Sequence, residues 1–193
     1  MTDNPQKPPP SPFSAFREML KKDGVAKSYL MDVEIEPCSL MEKVSTQEVK
    51  DNLKFKCEDA ELPGKTFETS NVKDYVIDRK HVLGVTYADL NLTFICSSDM
   101  RERRYFDEWM EYILGTNTKR VTYYDKYVSP SIKINLYQGP VLSDLKMTKA
   151  CTYTIKNAYP VAITAQDLAW NKEDNLKLTV NFNYECWEVE YYK

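Results

Sequence analysis

Asp89 and Glu185 each sit beside a strand-like stretch, so the two carboxylates could face each other on neighbouring strands. Such a pair is what acid–base chemistry at a glycosidic bond uses. Arg101, Arg103 and Arg104 form the densest basic cluster and could grip phosphate. His81 is the sole histidine and has no partners nearby in sequence for a triad or a metal site. Cys38, Cys57, Cys96, Cys151 and Cys186 are odd in number and scattered, with no CxxC and no metal-ligand spacing. Each feature has a plainer reading. Polar strand faces carry acids routinely, and the arginines have Glu102, Asp107 and Glu108 within helical reach. The cysteines read as small buried thiols of a reducing compartment. There is no GxGxxG, P-loop, HExxH or GxSxG. The sequence therefore predicts no enzyme, no cofactor and no metal.

The elements that must position these residues are mostly strands. The chain has 193 residues, 42% of them apolar, a net charge of −3 and 14 tyrosines. That is enough for one core, and the acidic balance weighs against a nucleic-acid binder that stacks bases on tyrosine. No run approaches the length of a membrane span, and the first twenty residues lack the apolar stretch of a signal peptide, so a cytosolic product without membrane insertion is expected.

Period-two alternation marks the strands. Leu90, Leu92, Phe94 and Cys96 oppose Asp89, Asn91 and Thr93. Leu178, Val180, Phe182, Tyr184 and Cys186 oppose Thr179, Asn181, Asn183 and Glu185. Further strands are expected over 29–36 and 127–136, around Cys151–Ile155, and within 161–170 once Tyr159-Pro160 has broken the preceding one. Residues 38–52 read as a loop with room for one helical turn, and Leu53, Phe55 and Cys57 as a strand pairing with 29–36. One amphipathic helix covers the sheet between Ser98 and Leu114. Asp99 and Glu102 would form its capping box, Phe106, Trp109 and Ile113 would supply its core contacts, and Gly115 would end it.

Two stretches lack a home in such a core. Residues 1–28 begin with a proline-rich segment, followed by FSAFREML as either a loose tail or a docking helix. The β domain is then 29–193. Within it, 62–83 read as a long extended loop or β-arm whose apolar residues need a neighbour. Lys65, Thr66, Phe67, Val72, Tyr75 and Val76 are the candidates for contact with another subunit. The whole predicts a mainly β sandwich or barrel with one packed helix.

The order CEDAELPG, LNLTFICSSD, RRYFDEWMEYI, YYDKY and YPVAITAQDLAWNKEDNLKLTVNFNYECWE resembles the tail tube protein family of contractile-tailed, T4-like bacteriophages over roughly Tyr29–Glu188. The pattern rests on Phe106 and Trp109, then Asp167 and Trp170, then Leu178–Trp187. The resemblance implies a structural virion protein, assembled in the host cytoplasm. Its hexameric rings would share a continuous inner β-barrel and stack into a hollow tube for DNA. Sheath protein would lie outside, tape-measure protein inside and baseplate proteins at one end. On that reading Asn91, Thr93, Thr179, Asn181, Asn183 and Glu185 would face the lumen. A neutral bore would let DNA pass without specific binding, since cation–phosphate contacts accumulate along a polyanion. The N-terminal extension and the long 37–52 connection leave open a tube-initiating ring at the baseplate, or the tube of a phage-derived injection system.

Overall fold

The computed structural model describes Glu18, Ala26 and residues 28–42, 44–74, 77–116, 119–138, 148–171 and 173–192. Among the described residues nine strands appear in chain order: β1 (Met31–Ile35), β2 (Cys57–Ala60), β3 (Lys65–Asp74), β4 (Ile77–Tyr87), β5 (Leu90–Ile95), β6 (Ser129–Tyr137), β7 (Lys149–Ile163), β8 (Lys177–Asn183) and β9 (Cys186–Tyr191). Among the described residues the helices between them are α1 (Gln47–Lys56), α2 (Arg101–Ile113) and the single turn α3 (Tyr124–Tyr127). Apart from Glu18, the N-terminal segment through Leu20 lies outside the described residues, as does most of 142–149.

Two antiparallel sheets share one strand. The first has the order β1-β6-β7-β9 and the second the order β2-β5-β8-β7. From Cys151 to Ala158, β7 pairs with β6 and β9; from Tyr159 onward it pairs with β8. The changeover falls beside Asn157, whose φ of 55° is left-handed backbone that asparagine tolerates better than most side chains. Tyr159-Pro160 therefore bends a continuous strand instead of ending it. Pro160 sits opposite Phe182 next to a register shift, the kind of place where a missing N–H is tolerated. No separate strand forms over 161–170, because the chain leaves the sheet after Ile163.

The C-terminal pattern splits for the same reason. β8 stops at Asn183, and β9 starts at Cys186 to serve the other sheet. Tyr184 stays buried, but Cys186 turns outward and Trp187 packs on the core in its place.

The core lies between the sheets and is closed by α2. Val33, Ile132, Ile134 and Ile155 meet Leu90, Leu92, Phe94, Leu178, Val180 and Phe182. Tyr105, Phe106 and Trp109 of α2 are almost wholly buried against them, with Phe106 5.3 Å from Phe94 and 5.9 Å from Phe182. Ile113 packs at the margin. Each large ring so buried contributes roughly 1.5–3 kcal/mol. The Trp109 indole N–H donates to the Tyr127 carbonyl at 2.8 Å, so the polar edge of the ring is also satisfied.

The start of α2 differs from the expected capping box. Met100 occupies the N-cap with φ 52°, and no side chain caps there. Glu102 instead turns inward. It accepts from the Ser97 N–H at 2.8 Å, the Ser97 hydroxyl at 2.7 Å and Lys56 Nζ at 2.9 Å, while Asp99 pairs with Arg101. The helix also ends before Gly115: Leu114 is already extended and bridges Val121.

The loop expected over 38–52 holds as far as Thr46, but its second half and most of the strand expected over 53–57 form α1. Val49 and Leu53 fall one helical turn apart and face inward, whereas Phe55, which suggested alternation, is exposed. Consequently β1 pairs with β6, Val33 opposite Ile134, and the short β2 pairs with β5. Lys54 of α1 reaches Glu34 at 2.5 Å and Asp32 at 3.3 Å, so the helix lies along the outer edge of β1.

Candidate lumen face and assembly surfaces

The second sheet presents its apolar side to the core and a polar side outward. Register places Asn91 opposite Asn181 and Thr93 opposite Thr179. The two threonine hydroxyls lie 3.0 Å apart, and Asn91 donates to Glu61 at 2.7 Å. Asn183 is exposed and sits opposite Tyr159 at the end of the ladder. Glu185 lies past the last β8 residue and accepts from Asn157, so it marks a corner and not the flat of the face. Five of the six predicted residues thus share one surface. Asp59, opposite Thr93, and Ala162, opposite Asn181, belong to it as well and were not singled out from sequence. Lys177, at the start of β8, is paired with Glu58 at 2.8 Å.

The groups that might have done chemistry are occupied or apart. Arg101 bonds Glu48 and Asp99, Arg103 bonds Asp107 and Gln166, and Arg104 bonds Glu108. Each arginine thus has a carboxylate partner. With Leu90 opposite Phe182, Glu185 falls beyond the ladder and does not oppose Asp89. Burial pushes the Cys57 thiol up to about 12, with the Asp59 charge adding to it, which disfavours a thiolate at neutral pH. His81 is exposed on a hairpin, opposite Ser70. Among the described residues no cluster of acids, histidine and cysteines is placed to hold a metal ion.

Residues 62–83 are more ordered than a loop. β3 and β4 form a two-stranded hairpin of their own, with a register shift after Glu68. Phe67 stands opposite Val85, and Thr69 opposite Val82 with Leu83 bulged beside it. Phe67, Val82, Leu83 and Val85 are all exposed, between 41% and 72%, and this row on one face is not covered by any of the described residues. Lys65 lies over the Phe67 ring at 5.4 Å. Thr66 and Val72 fall on the opposite face, and Tyr75 and Val76 lie outside the described residues. Val82, Leu83 and Val85 were missed as contact candidates, because only pairing with β3 puts them beside Phe67. The hairpin base is fixed by Tyr87 against Tyr184, ring centroids 5.9 Å apart.

The four sheet edges are not equivalent. α1 lies along β1, whereas among the described residues no strand lies beyond β2 or the second half of β7 in the second sheet. Exposed sheet edges of this kind are sites where strand addition can occur.

The chain belongs to the phage tail tube protein family, whose model matches residues 26–190. It is accordingly a structural component of the tail tube, a part of the virion tail. No curated sequence relative matches. Among solved structures it is similar to a chain of the sheath–tube complex of an extracellular contractile injection system, PVC, in the extended state. The identity there is 12%, with a TM-score of 0.64 over 91% of this chain and 97% of that one. A chain of the anti-feeding prophage baseplate matches at 14% identity and TM-score 0.60, over 86% and 95%. A chain of the anti-feeding prophage tube-terminating cap matches at 11% identity and TM-score 0.62, over 87% and 92%. At these identities the likeness is one of fold.

Proposed function

We propose that six copies close into a ring in which β2 of one copy pairs with the second half of β7 of the next. The second sheets then form one barrel around the bore. Stacked rings make the tube through which phage DNA passes, and no catalysis is involved. The observation that carries this reading is the second sheet itself: among the described residues it is open at both edges and turns Asn91, Thr93, Thr179 and Asn181 away from the core. Closure removes the exposed edges, which otherwise invite uncontrolled strand addition.

The chemistry of the outer face suits a conduit. Its middle is uncharged, its β2 side carries Glu58, Asp59 and Glu61, and its Lys177 is neutralised by Glu58. Repeated cations would hold a polyanion through counterion release, whereas amide and hydroxyl side chains would not. The hairpin, through Lys65, Thr66, Phe67 and Val72, contacts the adjacent ring. Sheath protein lies on the outside of the tube, tape-measure protein fills the bore before ejection, and baseplate proteins begin the stack, with assembly in the host cytoplasm. Negative-stain imaging and mass measurement of the purified full chain test the reading. Rings with an open centre support it, and a protein that stays monomeric even on isolated baseplates contradicts it.

A further inference from the structure

The hairpin and the loop between β7 and β8 leave the second sheet at opposite ends. β5 runs from Leu90, opposite Phe182, to Ile95, opposite Lys177. The hairpin attaches at the Leu90 end: Tyr87 precedes it by three residues, and Glu61, just past β2, bonds its N–H to the Asn91 carbonyl at 3.1 Å. Residues 164–176 attach at the Ile95 end. There Cys96 N–H bonds the Leu176 carbonyl at 2.9 Å, and Gln166 donates to the Lys177 carbonyl at 2.8 Å. Between the two ends lie six residues of β5, about 20 Å of strand.

The loop carries an uncovered apolar group of its own. Leu168 and Trp170 are fully out in solvent, and Ala165 and Ala169 beside them are exposed too. Arg103 holds Gln166 at 3.1 Å, so this loop is tethered to α2 at its base while its apolar tip points away. A wholly exposed tryptophan beside a leucine is unusual for a monomer surface, and tryptophan is over-represented at the energetic centres of interfaces.

We infer that the apolar hairpin face of one copy, Phe67, Val82, Leu83 and Val85, seats on the Leu168–Trp170 loop of a copy in the adjacent ring. This rests on the tube reading above and names the surface that receives the hairpin. Two apolar patches at opposite ends of one subunit make a heterologous, head-to-tail contact, which propagates without closing and so yields a filament of rings. The two stretches carry net charges of opposite sign. Residues 65–87 carry Lys65, Lys73, Arg79 and Lys80 against Glu68, Asp74 and Asp78, and residues 164–176 carry Asp167, Glu173 and Asp174 against Lys172. Apolar burial supplies the attraction, and the opposite charges orient the two ends.

The test uses the full chain with Leu168→Ser and Trp170→Ser, both highly exposed positions outside the core, where substitution is expected to leave the fold intact. The expected result is rings that form normally, with a fall of about tenfold or more in the stacked fraction, because the same contact repeats around each ring. A second measurement mixes a Val82→Cys protein with an Ala169→Cys protein and adds a short bis-maleimide. A cross-linked dimer above the wild-type background, in the mixture and in neither protein alone, supports the docking. Tubes of wild-type length from the double serine variant, with no such dimer, overturn the docking and leave the tube reading standing. A double variant that no longer closes rings also overturns it, by assigning the loop to ring closure. A wild-type chain that forms no rings under any condition removes the tube reading, and this docking with it.

Discussion

Thr93 and Thr179 face each other across β5 and β8 with their hydroxyls 3.0 Å apart, so one donates to the other on the outer side of the second sheet. They stand between Asp59 on one flank and Asn181 and Ala162 on the other, a strip of small and mostly uncharged side chains. A surface of this kind offers a passing phosphate backbone no fixed cation to exchange for its counterions.

Adding charge to that strip is therefore expected to slow transport without blocking assembly. Asn181→Lys with Asn183→Lys should leave tube length unchanged and lengthen DNA ejection time. The delay should shrink as salt is raised, because screening weakens cation–phosphate contacts. Single-particle ejection assays at two ionic strengths check it. An ejection rate unaffected at low salt would place these residues away from the DNA path.

Glu102 is a buried carboxylate at the start of α2. Burial alone would raise its pKa, but the Ser97 hydroxyl, the Ser97 N–H and Lys56 outweigh burial and hold it down at about 2. A carboxylate depressed in the folded state adds stability at pH values above its unfolded pKa and loses it as pH falls towards the folded value. Glu102→Gln should thus cost about 2 kcal/mol at pH 7. The gap between wild type and variant should narrow steadily from about pH 4.5 to about pH 2. Urea titrations across that range report it, and a gap independent of pH would contradict the assignment.

Trp109→Ala should cost roughly 3–5 kcal/mol, since it empties the space between Phe106, Phe182 and Tyr105 and orphans the Tyr127 carbonyl. Ile113→Ala, at the margin of the same face, should cost less. Thermal denaturation of both variants ranks them, and equal losses would mean that α2 docks differently.

Phe67→Ser with Val85→Ser should change monomer stability by no more than about 0.5 kcal/mol, because both side chains are exposed in the isolated chain. The same pair should abolish stacking of rings. Sedimentation of assembled material distinguishes the two effects. A destabilised monomer with normal tubes would show that the hairpin serves its own domain.

How much of this could be read in advance depended on which residues met the core. β5 and β8 were plain because Leu90, Leu92, Phe94 and Leu178, Val180, Phe182 each alternate with polar residues on a face that stays outside. The aromatic face of α2 was plain for the same reason, over three turns. β7 was not, since Pro160 is a local signal to stop, and only pairing with β8 on one side carries the strand past it. α1 was misread because Leu53, Phe55 and Cys57 alternate by chance, and the helix is chosen by Leu53 packing inward and Lys54 meeting Glu34. Five of the outer-face residues were legible as the polar half of an alternation. Glu185 was not, because the corner between β8 and β9 breaks the period just before it.

The most direct measurement is a cryo-electron microscopy reconstruction of the assembled chain that resolves strand pairing at the subunit boundary. The account predicts backbone hydrogen bonds from β2 of one copy to the second half of β7 of its neighbour, with Asn181 and Asn183 turned to an open bore. A boundary without shared strands, or Asn181 and Asn183 packed against another subunit with no channel beside them, would contradict it.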